Sequence, residues 1–416
     1  MARHSIHILI LTVSLLIGLG MTMLASTSFF TEEGGGEAYV TLWKQAIWVA
    51  ISVFACVVMA LNDYNRWHQW RWWLFGGAIV GLALCYEWHL AQLLGYNPVL
   101  AHRVNGATRW IGYGALNLQP SELAKVALIV TMAGWFASHQ ELAQSFKTGL
   151  IKPGLILGII VLLIGCEVDL GNAAVSTMVG AGIMFVAGTR IRYFLIIGTL
   201  AASALFVGIK FAPNRVERVM AIFDLEKFKD GIGLQQWVSW LAFGSGGMEG
   251  RGLGEGRMKL SYLPEAHTDF IFPMVGEEFG LWGTVGTVGI FVFLVFSGMC
   301  ISAYAPNRFG KLLGFGLTFL LGLEALINMG VTTALLPNKG LPLPFVSYGG
   351  SSLLAAMIAI GILINIHRQG IHLERDDLPI IRRNNRWTPQ LCGRSELTNE
   401  LQGPVHAPRQ HELDGE

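Results

Sequence analysis

A helical membrane protein of roughly ten spans is the fold class this sequence predicts, and three observations predict it. Of its 416 residues 53% are hydrophobic and only 14% charged, where a soluble domain carries about a quarter. Apolar runs, most of them near the ~20 residues that cross a bilayer as a helix, recur along most of the chain. Basic residues punctuate them in alternate short loops: Arg66 and Arg71, Lys147 and Lys152, Arg190 and Arg192, Arg308 and Lys311. Excess Lys and Arg mark cytoplasmic loops. The expected architecture is therefore all-α and polytopic, with both termini cytoplasmic.

The elements follow in order. Arg3 precedes an apolar run from Ile6 to about Ala25, long for a signal peptide and read as a retained first helix. A Glu- and Gly-rich loop leads to a second span, about Gln45 to Leu61. The connector NDYNRWHQWR mixes arginine with tryptophan, the composition of a membrane interface. Further spans are expected at 72–90, 121–137, 153–164, 170–187, 193–211, 273–303, 311–336 and 351–366. A large extracytoplasmic loop, 212–272, separates helices 7 and 8. Residues 1–368 form the transmembrane domain, and 369–416 a polar, proline-containing cytoplasmic tail without a packed core.

Several function classes drop out. A net charge of +1 argues neither for nor against nucleic acid, and no nucleic-acid partner is expected. The five cysteines are scattered without CxxC or Cys/His spacing, so neither a disulfide framework nor a zinc site is indicated. The chain holds no GxxxxGK[ST] loop, and its Gly-x-Gly spacings follow no strand of a βαβ unit.

Candidate sites lie in the segments expected outside. Arg109 beside Trp110 pairs a phosphate-binding cation with an interfacial indole. Ser121 is read as an N-cap, and Lys125, one turn further in, needs a partner inside the membrane and is counted with Arg109 and Trp110 among the substrate-binding candidates. In the short turn CEVDLG, Asp169 suits a helix cap, and Glu167 is a candidate for a cation or for pairing with Lys125. Gly244–Lys259 is glycine-dense and carries Arg251, Arg257 and Lys259; its backbone N–H groups and cations suit a pyrophosphate. Glu265, His267 and Asp269 stand where a polar loop enters the apolar run beginning at Phe270, and acids at a membrane boundary are functional candidates. Lys339 is the one charge in LLPNKGLPLPFVSYGGSS.

Four segments, TRWIGYGALNLQPSELAK, EVDLGN, GSGGMEGRGLGEGRMKLSYLPEAHTDFIFPMVGEEFG and LLPNKGLPLPFVSYGGSSL, resemble the SEDS family of membrane glycosyltransferases in the expected order. PEAHTDFIF with NKGLPLPFVSYGGSS is most similar to its FtsW/SpoVE branch. Val168, Asn172 and Asn338 depart from the family pattern, which has proline, threonine and threonine there. The resemblance implies a peptidoglycan glycosyltransferase of the bacterial inner membrane that polymerises lipid II, the undecaprenyl-pyrophosphate-linked disaccharide peptide, for septal wall synthesis. It further implies a class B penicillin-binding protein as transpeptidase partner, contacts with other divisome membrane proteins, Asp269 as the catalytic base, and Ser347 among the substrate-binding residues. No cofactor is called for, with a divalent cation, Mg²⁺ or Mn²⁺, left open at the pyrophosphate. A lipid II flippase, an elongation-type (RodA-like) polymerase and a non-catalytic division scaffold are the alternative readings.

Overall fold

The computed structural model describes residues 2–31, 36–87, 94, 101–104, 107–113, 116–210, 213–258 and 268–376. Lys259, Glu265, His267 and nearly all of the tail lie outside them. The first of the chain's two compact units is Met1–Arg375.

Helices α1 (Ala2–Thr31), α2 (Gly36–Leu61) and α3 (Asn65–Leu84) precede a small sheet. Then follow α4 (Pro120–Ser138), α5 (Lys152–Cys166, entered through a π turn at Lys147–Ile151), α6 (Leu170–Val186) and α7 (Ile191–Lys210). The remainder is α8 (Pro213–Phe223), α9 (Leu234–Gly246), α10 (Ile271–Ala303), α11 (Arg308–Thr332) and α12 (Gly350–Asp376). Each expected apolar segment falls on one of α1–α7 or α10–α12. Among the described residues six helical stretches are long and apolar enough to cross a membrane: those in α1, α2, α5 with its π turn, α10, α11 and α12. α6 is shorter, and α4 carries Glu122 and Lys125 in its first turns.

Three details differ from expectation. The loop before α4 holds a three-stranded antiparallel sheet, β1 (Ala101–Val104), β2 (Ala107–Tyr113) and β3 (Leu116–Leu118), with Ala101 opposite Ile111 and Ile111 opposite Leu118. The large loop is partly helical, because α9 buries Gln236, Val238, Ser239 and Ala242. Ser121 does not cap α4: Pro120 already occupies the first turn, and the Ser121 hydroxyl accepts from Gln119 Nε2 at 3.1 Å.

α4 is buried along nearly its whole length among α3, α6 and α11. Glycine lets these helices approach closely, as is usual between membrane helices. A Cβ at Gly316 would lie 2.6 Å from Ile129 and 2.9 Å from Ile183. The basic turns gather at one end of the bundle. There Arg308 donates to the Ala187 carbonyl, Asn307 to Asn65, and Arg368 to the Ala60 carbonyl. The candidate site occupies the opposite end, where α4, α6 and α10 begin and α11 finishes.

Candidate functional site

Four segments converge on the turn between α5 and α6. Asp169 caps α6, accepting from Asn172 N at 3.2 Å and Asn172 Nδ2 at 3.1 Å. Arg109, from β2, grips the same turn: Nη2 donates to the Val168 carbonyl at 2.9 Å, Nε to that of Glu167 at 3.5 Å, and Nη1 lies 3.6 Å from Asp169 Oδ2. Val168 takes φ 62°, a conformation a proline ring forbids, so this departure from the family pattern goes with a different backbone. The stem of Lys339 lies over Gly171, its Cδ 3.1 Å from where a Cβ would be.

Lys125 lies beneath this turn and is not the substrate-facing cation expected. It is 2% exposed, and its three protons are all donated, to Glu122 Oε1 at 2.9 Å, Asn172 Oδ1 at 2.9 Å and Glu324 Oε1. Glu167 is not its partner. That carboxyl is buried, with the Cys85 thiol beside it as a hydrogen-bonding neighbour. Burial pushes it up to about 8, with Asp169 raising it further and Cys85 and Arg109 opposing.

Asp269 sits in the turn that starts α10. Its carbonyl accepts from Asn328 Nδ2 at 2.8 Å, and the carbonyl of Thr268 accepts from the Ser347 hydroxyl. Ser347 also accepts from Leu343 N at 2.8 Å; it is buried and joins two loops rather than facing a ligand. The Asp269 carboxylate is laid against Gly340: a Cβ there would be 2.3 Å from Oδ2. Lys339 is the preceding residue. The carboxylate, the Lys339 segment, and the Arg109-held turn under the Lys339 stem thus form one constellation.

Lys339, Arg109 and some of Arg251, Arg257 and Lys259 are expected to converge on one anionic headgroup; the four of these within the described residues divide into two groups. Arg109 and Lys339 meet at the α5–α6 turn. Arg251 and Arg257 instead lie against α10 further along, where Gly280 (φ 66°) breaks the helix. Several of the glycine loop's backbone donors are already used within the protein. Glu277, fully buried, accepts from Arg257 N at 2.7 Å and Met258 N at 3.2 Å, and Arg251 N donates to the Glu277 carbonyl. The glycines fit this packing, since a Cβ at Gly246 would lie 2.0 Å from the Gly276 carbonyl oxygen. Glu278 accepts from Ser26 of α1. Trp110 is half-buried in β2. Among the described residues no group of three or more His, Cys, Asp or Glu side chains is placed to hold a metal ion.

Two site residues escaped the sequence reading, Glu324 and Asn328. The signal was present: both interrupt an apolar helix at i, i+4 spacing, and a buried lysine implies a carboxylate elsewhere.

This is a polytopic membrane protein with a constellation of charged residues at the end of its helical bundle opposite the basic turns, around an acid at the head of α10. Residues 6–372 match the family model of FtsW, RodA and SpoVE, described as cell cycle proteins, and the chain belongs to that family. A protein named "Probable peptidoglycan glycosyltransferase FtsW" from Geobacter metallireducens is 38% identical over 365 residues, spanning 88% of this chain and 94% of the relative. One of the same name from Coxiella burnetii is 36% identical over 363 residues, 86% of this chain and 95% of the relative. Among solved structures, a chain from a study of how a peptidoglycan synthase complex coordinates polymerization and crosslinking superposes with a TM-score of 0.71 at 26% identity, covering 87% of this chain and 97% of that one. The rod shape determining protein RodA of Thermus thermophilus gives 0.62 at 25% identity, covering 87% and 96%.

Proposed function

We propose that this chain is a peptidoglycan glycosyltransferase that polymerises lipid II at the outer face of the bacterial cytoplasmic membrane, with Asp269 as general base. One observation carries the reading: the Asp269 carboxylate lies against Gly340, next to Lys339, whose stem reaches the turn that Arg109 holds.

The reaction joins the 4-hydroxyl of one sugar to the anomeric carbon of another whose leaving group is a lipid pyrophosphate. That hydroxyl is far too weak an acid to ionise alone, so a carboxylate takes its proton as the new C–O bond forms. The old C–O bond breaks, and its electron pair departs with the pyrophosphate. Growing negative charge there is met by Lys339, with Arg109 behind it, as fixed cations stabilise a leaving phosphate. A single displacement inverts the anomeric centre and turns an α-linked donor into a β-linked product, so one carboxylate suffices. A Mg²⁺ or Mn²⁺ ion would find hard oxygen donors in the pyrophosphate and in Asp269.

Relatives named FtsW at 36–38% identity support a septal role, the similar chain from a peptidoglycan synthase complex supports a class B penicillin-binding protein as partner, and the basic end of the bundle supports cytoplasmic termini. Incubating purified full-length chain with lipid II, with and without that partner, tests the reading. Glycan strands are expected. Lipid II moved across proteoliposomes without polymerisation would replace it with the flippase reading.

A further inference from the structure

We propose that Asn328 is a positioning residue for the reaction at Asp269, an inference that rests on Asp269 being the base. The Asn328 amide donates one proton to the Asp269 carbonyl at 2.8 Å and the other to the Leu341 carbonyl at 2.6 Å. These acceptors belong to segments far apart in the chain, the turn that carries the base and the loop that carries Lys339. Leu341 directly follows Gly340, the residue against which the carboxylate lies. The bridge therefore sets the register between the carboxylate and its neighbouring cation.

The cost of this arrangement is visible. Asn328 is 2% exposed, and among the described residues its Oδ1 has no partner. An unpaired buried carbonyl carries a cost in stability, which a leucine here would avoid only by leaving the Asp269 and Leu341 carbonyls without the donors they now have. The amide therefore ties the two segments together, and a fixed register between base and cation requires both donors. The same loop is held at its other end in the same way. Gln236 Nε2, from α9, donates to the carbonyls of Val331 and Leu336 at 2.8 Å each, and its own Oε1 is also unpaired among the described residues. Between and beyond these amides the backbone is strained. Ala334 has φ 59° and Phe345 φ 67°, and with Val168 they are the three non-glycine residues of positive φ described. All three flank the constellation. Strain held by surrounding bonds at a site is a mark of preorganisation.

Asn328 also links the site to the buried ions. It follows Glu324 by one turn of α11, and Glu324 accepts from Lys125. The helix that carries the bridge is thereby anchored in the bundle core. A misplacement of about 1 Å between reacting groups can cost ~10²-fold in rate, which is the scale expected when the bridge is lost.

The test uses purified full-length wild type, Asn328→Leu, Asn328→Ser, Asp269→Asn and the Asp269→Asn/Asn328→Leu double variant, with their transpeptidase partner. Lipid II polymerisation gives kcat and KM, and thermal unfolding in detergent gives the folded state. Asn328→Leu is expected to fold, to lose about 10–100-fold in kcat and to change KM by no more than about threefold. Asn328→Ser, which retains one donor, should fall between it and wild type. In the Asp269→Asn background the leucine should add nothing further, because the bridge acts through that carboxylate. A wild-type kcat for Asn328→Leu overturns the inference and leaves the base reading standing. So does a loss that multiplies with that of Asp269→Asn, and so does failure of both Asn328 variants to fold, which would make the residue a fold element. Asp269→Asn at wild-type rate would instead remove the base reading, and the positioning role with it.

Discussion

At Gly340 the absent side chain is the functional feature, since the Asp269 carboxylate fills the place a Cβ would take. The nearest atom is the end of a side chain, so Gly340→Ala should fold and be accommodated by moving that carboxylate. Polymerisation should fall by ~10²-fold, the cost of misplacing a reacting group, while the unfolding midpoint stays within a few degrees of wild type. A large fall in the midpoint with kcat preserved in the folded fraction would refute this. Glu167 makes a different prediction. Its folded value of about 8 stands above the ordinary 4.5, so the folded state holds a proton that the unfolded chain releases. The stability this group contributes is then greatest below pH 4.5, declines as the pH rises to about 8 and is flat beyond. Melting in detergent across that window should show the decline, and Glu167→Gln should flatten it.

At the scale of elements, the buried ion cluster ties α4, α6 and α11 together. Removing Lys125 leaves Glu122 and Glu324 facing each other without a counter-ion, and breaking a buried pair from one side costs about 3–5 kcal/mol. Lys125→Met should therefore yield little folded protein by size-exclusion chromatography. Glu324→Gln should be milder, because Glu122 still pairs with the lysine at 2.9 Å; equal losses would argue against the cluster. The helices themselves were legible in the sequence, because a bilayer admits few alternatives to long apolar helices and the basic turns sort them. So was the cap at Asp169. The β1–β3 sheet was not: with bends and glycines in a loop, its strands are too short to show alternation. Nor was the role of Glu277. A carboxylate beside a glycine loop looks like part of a polar site, yet it accepts the backbone donors from which a phosphate cradle was expected. Lys125 and Lys339 look alike in the sequence, and only packing reveals that one is spent on its own carboxylates. Asn172 and Asn338, both off the family pattern, acquire partners only in three dimensions, Lys125 and Gln235.

For the whole molecule, the two ends of the bundle differ in charge, and that asymmetry predicts its orientation. A cysteine introduced near Glu226, between α8 and α9, should react with an impermeant reagent added outside cells. One near Arg308, at the basic end, should react only after the membrane is opened; the reverse pattern would invert the topology. The site would then face the side where lipid-linked wall precursors are consumed, and the remaining question is whether its acid does the chemistry. The most direct measurement compares lipid II polymerisation by wild type and Asp269→Asn, both folded and both bound to the transpeptidase. Asparagine keeps the size and the hydrogen bonds but cannot take the acceptor's proton. A loss of about 10²-fold or more in kcat is predicted, the scale of a general base. Polymerisation by the asparagine variant at near wild-type rate would contradict the account.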